Sequence, residues 1–288
     1  MMLLKLLSRL DRNEFEALVI SLADGGALKE SFRNQCANVV SLGMSSRAVP
    51  ARALWRLAAS LREFRPDVIQ GWMYHGNLLA TFARSMLPKK VPVLWNVRGM
   101  NAVRADDRWR SRLVYRLSGL MSGFADKIVN NSGASAVAHE TVLGYPRSAR
   151  AIIPNGFDTE LFTPRPGFKA RTRGGLGLLL DGVVIGLIAR YHPDKDVPNF
   201  LEAARIALVR DPALRFVLVG KDLDGGNREL GDLILKTAAP ERFHALGQRD
   251  DIAETMAALD IVVSASRSES FPNAIGEAMS CGIPCVVT

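Results

Sequence analysis

Two carboxylates and two cations mark the stretches of this sequence that are best suited to chemistry. Glu269 and Glu277 are separated by seven residues, and Arg190 and Lys195 by four. Carboxylates can hold sugar hydroxyls, whereas the planar guanidinium of Arg and the compact ammonium of Lys bind phosphate oxygens. These residue types therefore indicate a ligand in which a sugar is joined to phosphate.

The segment 259–288 predicts a strand, a loop, a helix and a second strand around the two carboxylates. Ile261–Val263 is a short apolar run typical of a buried parallel strand. Pro272 suits the first helical position, since no N–H is needed there. We expect unpaired N–H groups at Phe271–Ile275 to form an anion-binding helix end. Either Glu alone would be interpreted as a surface residue, but the pair in this setting indicates a functional site.

The two cations lie in a loop that follows the predicted strand Val183–Ala189. Arg190 and Lys195 are thus placed at the carboxyl end of a strand, where α/β crevices bind ligands. A competing interpretation is a surface turn in which Lys195 pairs with Asp194 or Asp196. We expect this loop and the loop that carries Glu269 to converge at the same edge of the sheet, which favours phosphate binding.

The retaining glycosyltransferases of the GT-B fold, family 4 in particular, carry an E-x7-E motif that the stretch SESFPNAIGEAMSCGIPCVVT resembles. Their G-R-x4-K element, which holds the nucleotide diphosphate, is similar to the loop at Arg190 and Lys195, with Ala189 in place of Gly. The resemblance implies that Glu269, Arg190 and Lys195 are catalytic and that Glu277 binds ribose hydroxyls. The donor-binding residues that it implies, besides the two cations, are Gly247, Gln248, Glu269, Ser270, Phe271, Pro272, Asn273, Ala274 and Glu277.

The first half of the chain is expected to supply the acceptor side. His75 and Asn77 lie in a stretch similar to an H-A-N element of the family, and Arg98 follows the next predicted strand. A helix-capping role for His75 is the competing interpretation, and a plain turn explains Gly247 and Gln248 as well as base binding does. No role is assigned to three further histidines, interpreted as surface or strand residues, namely His139, His192 and His244.

Strand and helix signals alternate along both halves of the chain, which predicts α/β units with parallel, doubly wound sheets. The resemblance implies a GT-B fold with two Rossmann-like domains. We predict an acceptor-side domain over 1–162, a linker over 163–180, rich in Pro, Gly and Arg, and a nucleotide-sugar-binding domain over 181–288.

Both ends of the chain differ from the pattern of the resembled family. The chain opens on an amphipathic helix with Leu3, Leu6, Leu7 and Leu10 on one face, and it closes on a predicted strand. Family members have a first strand with a Gly-rich loop and have closing helices. We expect an incomplete enzyme; a shorter variant with repaired edges is the alternative.

Bulk composition narrows the class of protein only in part. The 288 residues carry a net charge of +8, which suits acidic membranes, nucleotides or nucleic acids without choosing among them. Three cysteines without paired or metal-like spacing predict a reduced, cytoplasmic protein, with the inner face of the cytoplasmic membrane as an alternative. The basic segment 104–116 could meet anionic lipid, although a solvated helix face is the favoured interpretation.

We therefore predict a retaining glycosyltransferase of the hexosyltransferase type that acts in polysaccharide biosynthesis. The donor is expected to be a UDP- or GDP-sugar, the acceptor a glycan or a lipid-linked molecule, and no metal or other cofactor is expected from the resemblance. The alternative is a non-catalytic sugar-nucleotide-binding remnant. A dinucleotide oxidoreductase is disfavoured because no G-x-G-x-x-G follows a predicted strand, and nucleic-acid binding rests on charge alone.

Overall fold

The computed structural model describes residues 2–23, 29–35, 38–44, 50–100, 109–178 and 182–288. The chain forms two compact units, the first ending at Asn155 and the second beginning at Gly156. Cys36 and residues 104–108 of the basic segment 104–116 lie outside the described residues. Each unit is an α/β assembly, as the alternation of the sequence predicts.

The first unit contains two parallel sheets flanked by helices. Its strands are β1 (Leu18–Ser21), β2 (Asn38–Ser41), β3 (Ile69–Trp72), β4 (Val93–Val97), β5 (Lys127–Asn130) and β6 (Arg150–Ile152). Its helices are α1 (Met2–Ser8), α2 (Lys29–Gln35), α3 (Ala51–Phe64), α4 (Met73–Arg84), α5 (Trp109–Met121) and α6 (Gly133–Leu143). One sheet pairs β1 with β2, and the other has the order β3-β4-β5-β6.

The second unit is built on one parallel sheet with the strand order β11-β10-β7-β8-β9. Its strands are β7 (Val184–Ile188), β8 (Arg215–Val219), β9 (Phe243–Gly247), β10 (Ile261–Ser264) and β11 (Cys285–Val287). Its helices are α7 (Lys169–Gly175), α8 (Val197–Arg210), α9 (Arg228–Leu235), α10 (Ile252–Met256) and α11 (Asn273–Ser280). Chain order proceeds outward from β7 in both directions, which is the doubly wound arrangement that the sequence predicts.

Burial on both faces of the second sheet explains its continuous apolar strands. Val217 and Val219 of β8 pack into one buried cluster, whereas Phe216 and Leu218 pack into another. Successive side chains of a strand point to opposite faces of its sheet, so both faces of β8 are covered. Residues of β7 and β10 are buried in the same two clusters, and the loops of the candidate site extend from the ends of these two strands.

An apolar cavity of about 410 Å³ lies in the first unit beside the edge strands β1 and β3. Four leucines of the predicted amphipathic face line it, namely Leu3, Leu6, Leu7 and Leu10. The first three belong to α1, and Leu10 follows that helix. The periodicity of these leucines therefore correctly predicts a common face.

The stretch predicted as a linker contains helix α7, whose Arg173 side chain is buried. The guanidinium donates to Ala258 O at 3.0 Å, to Gly182 O at 3.1 Å and to Asp260 Oδ2 at 2.5 Å. Burial raises the pKa of the Asp260 carboxyl, but hydrogen bonds from Lys169, the Val184 N–H and Arg173 outweigh that effect and lower it. A segment whose composition is typical of exposed linkers is thus held in the second unit by a buried cation with three hydrogen-bond acceptors.

His139 is fully buried on α6, so the prediction of a surface or strand histidine is wrong. Its ring nitrogens lie 2.7 Å from Ser135 O and 2.7 Å from the Tyr74 hydroxyl. The carbonyl requires a donor, so Nδ1 carries the proton and Nε2 of the neutral ring accepts from Tyr74. Burial lowers the pKa of His139, and the hydrogen bond to Ser135 offsets this only in part.

The lowered pKa of His139 makes the stability of the fold dependent on pH. The ordinary pKa of histidine is 6.5, so below this pH the His139 side chain binds a proton in the unfolded chain more readily than in the folded chain. The free energy of unfolding should therefore fall as pH drops from 6.5 through the folded pKa, by at most about 1.4 kcal/mol per pH unit. Urea unfolding at a series of pH values measures this slope.

The control for this measurement is a second histidine, because burial and Arg215 also lower the pKa of His244. A His244→Gln background removes that contribution, and His139→Gln is then added to it. The double variant should show a shallower slope than His244→Gln alone. Equal slopes would contradict the role assigned to buried His139.

Candidate functional site

The candidate site lies where the strand order of the second sheet reverses. Strands β7 and β10 are direct neighbours, paired through Ile185 with Ile261 and Gly186 with Val262. The chain continues from β7 to β8 on one side and from β10 to β11 on the other. The loops that leave β7 and β10 at such a reversal diverge and leave a crevice at their carboxyl ends. One of these loops carries the two cations, and the other carries the loop carboxylate.

A cavity of about 440 Å³ occupies this crevice. Both cations, Arg190 and Lys195, line it, as do both carboxylates, Glu269 and Glu277. The remaining lining residues are Leu187, Ile188, Ala189, Val263, Ser264, Ser266, Phe271, Pro272, Asn273, Ala274 and Ile275. Residues from two distant stretches of sequence thus share one cavity, as expected from the strand ends.

Glu269 forms an ion pair with Lys195 across the cavity. The same Oε1 accepts a hydrogen bond from Ser266 Oγ at 3.0 Å. Both charged side chains are partly buried, at 23% and 26% exposure, which lessens solvent screening of the pair. Lys195 therefore does not pair with Asp194 or Asp196, the partners that the surface-turn interpretation requires. No ion pair of Arg190 is found among the described residues.

A second ion pair joins the two loops outside the cavity. Arg267 donates to both carboxylate oxygens of Asp196, at 2.7 Å and 3.0 Å, and its backbone N–H donates to Asp194 O at 2.9 Å. The hydrogen bond from Arg267 lowers the pKa of the Asp196 carboxyl. Sequence analysis missed this contact; the only signal for it was an unassigned Arg and Asp in loops at the same sheet edge.

The amino end of α11 forms one wall of the cavity. Pro272 is the residue before the first helical position rather than that position itself. Its carbonyl accepts from the N–H of Ile275 at 3.2 Å and of Gly276 at 3.3 Å, so the expected unpaired N–H at Ile275 is wrong. Asn273 and Ala274 line the cavity at the positive end of this helix.

An aromatic contact packs against the amino end of α11, the wall of the cavity. The rings of Phe271 and Phe157 are stacked with centroids 5.9 Å apart. Phe157 also packs against α11 at Gly276, where any Cβ would overlap the Phe157 ring. The segment after Asn155 therefore packs against α11 within the second unit.

Three predicted donor-binding residues do not line the cavity: Gly247, Gln248 and Ser270. Gly247 is buried at the end of β9, where its N–H donates to Leu223 O and its carbonyl accepts from Gly220 N–H, both at 2.8 Å. Gln248 is exposed. Backbone packing of this turn accounts for Gly247, which has a φ of 69°.

Two acceptor-side candidates of the first unit, His75 and Asn77, differ in their exposure to solvent. Helix α4 begins at Met73, so His75 and Asn77 both lie in its first turns. His75 is exposed, whereas Asn77 is fully buried and its Oδ1 accepts from the Asn96 N–H at 3.2 Å. His75 and Asn77 therefore do not present side chains to a common surface.

Arg98 is held in place by three side chains of the first unit. Its guanidinium donates to Asn96 Oδ1 at 2.6 Å and to Asn155 Oδ1, and it lies 5.3 Å from the centroid of the Trp72 ring. Burial lowers the pKa of Arg98. These contacts fix the guanidinium at the carboxyl end of β4, where a parallel sheet presents ligand-binding groups.

No group of three or more His, Cys, Asp or Glu residues with the geometry of a metal site occurs within the described ranges. No helix there is both long and apolar enough to cross a bilayer.

Two known proteins with similar sequences are glycosyltransferases by name. The E. coli UDP-Gal:alpha-D-GlcNAc-diphosphoundecaprenol alpha-1,3-galactosyltransferase is 34% identical over 145 residues, covering 48% of this chain and 36% of that protein. D-inositol 3-phosphate glycosyltransferase of Saccharomonospora viridis is 35% identical over 175 residues, covering 56% of this chain and 39% of that protein. The chain thus matches well under half the length of either relative.

A solved structure with a similar fold is that of the Anabaena protein HepE in complex with UDP-glucose. It superposes with a TM-score of 0.78 at 26% sequence identity, covering 94% of this chain and 72% of that chain. This similarity confirms the predicted GT-B fold class with two Rossmann-like parallel-sheet units.

Two family descriptions divide the chain between them. Glycosyl transferases group 1 matches residues 182–288, and Glycosyltransferase Family 4 matches residues 1–161. Because the second match alone spans 161 of the 288 residues, the chain belongs to glycosyltransferase family 4.

Proposed function

We propose that this chain provides the donor site of a retaining glycosyltransferase that moves a hexose from a nucleotide-diphosphate sugar to an acceptor. The observation that carries the proposal is the shared cavity of Arg190, Lys195, Glu269 and Glu277 at the strand reversal. Cations and a helix amino end suit a diphosphate, and carboxylates suit sugar hydroxyls. A nucleotide-diphosphate sugar combines both parts in one molecule.

The donor is proposed to be a UDP-sugar, with a GDP-sugar as the alternative. HepE binds UDP-glucose, and the name of the E. coli relative specifies UDP-Gal. Both donors carry a hexose, which supports the hexosyltransferase type.

Charge development explains the role of each residue in the reaction. Breaking the bond between sugar and phosphate places positive charge on the sugar and negative charge on the leaving diphosphate. Arg190, Lys195 and the amino end of α11 would stabilise the diphosphate, because preorganised charges act strongly where new charge appears. Glu269 would favour positive charge at the sugar and hold its hydroxyls, and Glu277 would bind the ribose. No metal ion takes part in the proposed reaction.

The ion pair between Lys195 and Glu269 must change when the donor binds. A diphosphate that attracts Lys195 would weaken its hold on Glu269, leaving that carboxylate to accept from a sugar hydroxyl. Ser266 Oγ, at 3.0 Å, keeps Glu269 in position during this exchange. Binding of the phosphates and recognition of the sugar are therefore coupled through one side chain.

The acceptor is proposed to be a glycan or a lipid-linked sugar of polysaccharide biosynthesis. The name of the E. coli relative contains a diphosphoundecaprenol acceptor, which supports the lipid-linked choice. Within the first unit, the fixed guanidinium of Arg98 and the exposed ring of His75 are the proposed acceptor-side contacts.

Replacing Glu269 with Gln is expected to lower the rate of UDP-glucose cleavage by roughly 100-fold or more, since a preorganised charge at the reacting carbon is lost. Proton NMR of the sugar released without acceptor measures both rate and stereochemistry. A retaining reaction on this α-linked donor releases the α-anomer first. Glu160→Gln, at an exposed position of the same unit, should leave the rate unchanged.

Each alternative has a distinct result in the same experiment. Release of the β-anomer first would overturn the retaining mechanism. Calorimetric binding of UDP or GDP without cleavage or transfer would support the non-catalytic remnant. Equal rates for the wild type and Glu269→Gln would remove Glu269 from the mechanism.

A further inference from the structure

Helix α5 presents an apolar stripe to solvent. Trp109, Leu113, Leu117 and Leu120 are between 40% and 79% exposed, and Phe124, in the short 3₁₀ turn that follows, is 57% exposed. Burial of such side chains normally stabilises a fold, so a continuous exposed row of them indicates a contact surface.

The spacing of these residues places them on one side of the helix. The four residues of α5 are separated by four, four and three positions, and each residue of an α-helix turns the chain by about 100°. They therefore lie within about 80° of arc. The stripe is a coherent surface rather than a set of scattered apolar residues.

The opposite side of α5 packs into the first unit. Ser118 is fully buried and accepts from the Tyr145 hydroxyl at 3.1 Å, and Tyr115 makes an edge-to-face contact with Tyr74 at 4.6 Å between centroids. Helices α4 and α6 both contact α5. Packing of the inward side thus fixes which side faces outward.

Three arginines border the stripe. By helical rotation, Arg112 and Arg116 lie on one flank and Arg110 on the other. No acidic residue occurs from Trp109 to Ala125. An apolar row with Trp and Leu, bordered by cations, has the pattern of a helix that lies in the plane of a membrane interface. The favoured interpretation of a solvated face does not explain the exposed apolar row.

We propose that α5 is a membrane-docking helix whose apolar stripe enters the interface of an anionic bilayer while its arginines contact the lipid phosphates. A second copy of the chain is a poorer occupant, because a two-fold interface would oppose the same arginines to one another. A neutral bilayer would satisfy the apolar row but not the cations. This proposal is independent of the donor cavity.

Sedimentation with lipid vesicles tests the proposal. The chain should sediment with vesicles of phosphatidylglycerol and phosphatidylethanolamine, and much less with vesicles of phosphatidylcholine alone. Raising the salt from about 0.1 M to about 1 M shortens the screening length from about 10 Å to about 3 Å and should release much of the bound protein. Binding that ignores both lipid charge and salt would overturn the proposal.

Two pairs of substitutions separate the apolar and charged contributions. The double variant Trp109→Ser/Leu120→Ser should lower the vesicle partition coefficient by roughly tenfold or more, since two large apolar side chains are removed. Arg112→Glu/Arg116→Glu should lower it by roughly 25-fold or more, since each cation near an anionic surface contributes about fivefold.

Matched controls lie in the second unit. Val209 and Leu235 are 78% and 71% exposed, and the double variant Val209→Ser/Leu235→Ser should bind vesicles like the wild type. Arg210→Glu/Arg228→Glu is the matched charge control. Circular dichroism verifies that each variant is folded. Equal losses in variants and controls would overturn the proposal, as would light scattering that shows a dimer which Leu120→Ser converts to monomer.

Discussion

Replacing Arg190 with Ala is expected to lower kcat/KM for the nucleotide sugar by roughly 100- to 1,000-fold, or about 3–4 kcal/mol in transition-state stabilisation. The side chain lines the donor cavity, and no ion pair holds it elsewhere within the described part of the chain. Its positive charge therefore remains available to the leaving diphosphate. Initial rates of donor cleavage over a range of UDP-glucose concentrations measure this effect.

Two further substitutions serve as controls for Arg190→Ala. Arg190→Lys keeps the charge but loses the planar pair of donors, so it should restore only part of the activity. Arg210→Ala removes a cation at the end of α8 outside the cavity and should leave kcat/KM unchanged. Full activity of Arg190→Ala would contradict the diphosphate role.

Replacing Gly220 with Ala is expected to destabilise the second unit by about 3 kcal/mol or more, because backbone strain and overpacking add. Gly220 follows β8 with a φ of 142°, a conformation that L-residues rarely adopt. An added Cβ would overlap Ala189 O and lie 2.6 Å from the Ala189 carbonyl carbon. The backbone that precedes Arg190 must therefore move or the unit must unfold, and chemical denaturation measures the loss.

The same loop offers a matched control for the Gly220 substitution. An added Cβ at Gly225 would meet nothing within 4 Å, so Gly225→Ala should change stability little. If Gly220→Ala remains folded, displacement of Arg190 should weaken UDP binding as well. A stable Gly220→Ala variant with wild-type UDP affinity would contradict the close approach of Gly220 to the Ala189 backbone.

The sequence predicts the strands and helices of both units well because their periodicities are clear. The segment 259–288, for example, forms strand β10, helix α11 and strand β11 in the predicted order. Helix α7 was missed because its Arg- and Gly-rich sequence is typical of an exposed linker. Only the tertiary fold reveals the three acceptors around Arg173. His139 was misplaced for the same reason, since its partner Tyr74 is 65 residues away.

Within the candidate site, the sequence predicts the residues of the cavity better than the contacts among them. Arg190 and Glu269 converge because their strands are neighbours at the reversal, and a doubly wound pattern is enough to anticipate that. Two contacts depend on loop conformations, for which the sequence shows no periodic pattern. They are the ion pair of Asp196 with Arg267 and the packing of Phe157 against Gly276. For Gly247 the sequence leaves base binding and a plain turn as alternatives, and the backbone hydrogen bonds of the turn after β9 are consistent with the second.

A crystal structure of this chain with UDP bound tests the central claim most directly. We predict that diphosphate oxygens lie within hydrogen-bonding distance of the Arg190 guanidinium and the Lys195 ammonium, with the ribose near Glu277. We also predict that Lys195 moves away from Glu269 when the diphosphate binds. Nucleotide bound elsewhere, with the ion pair of Lys195 and Glu269 unchanged and the cavity empty at saturating UDP, would contradict the account.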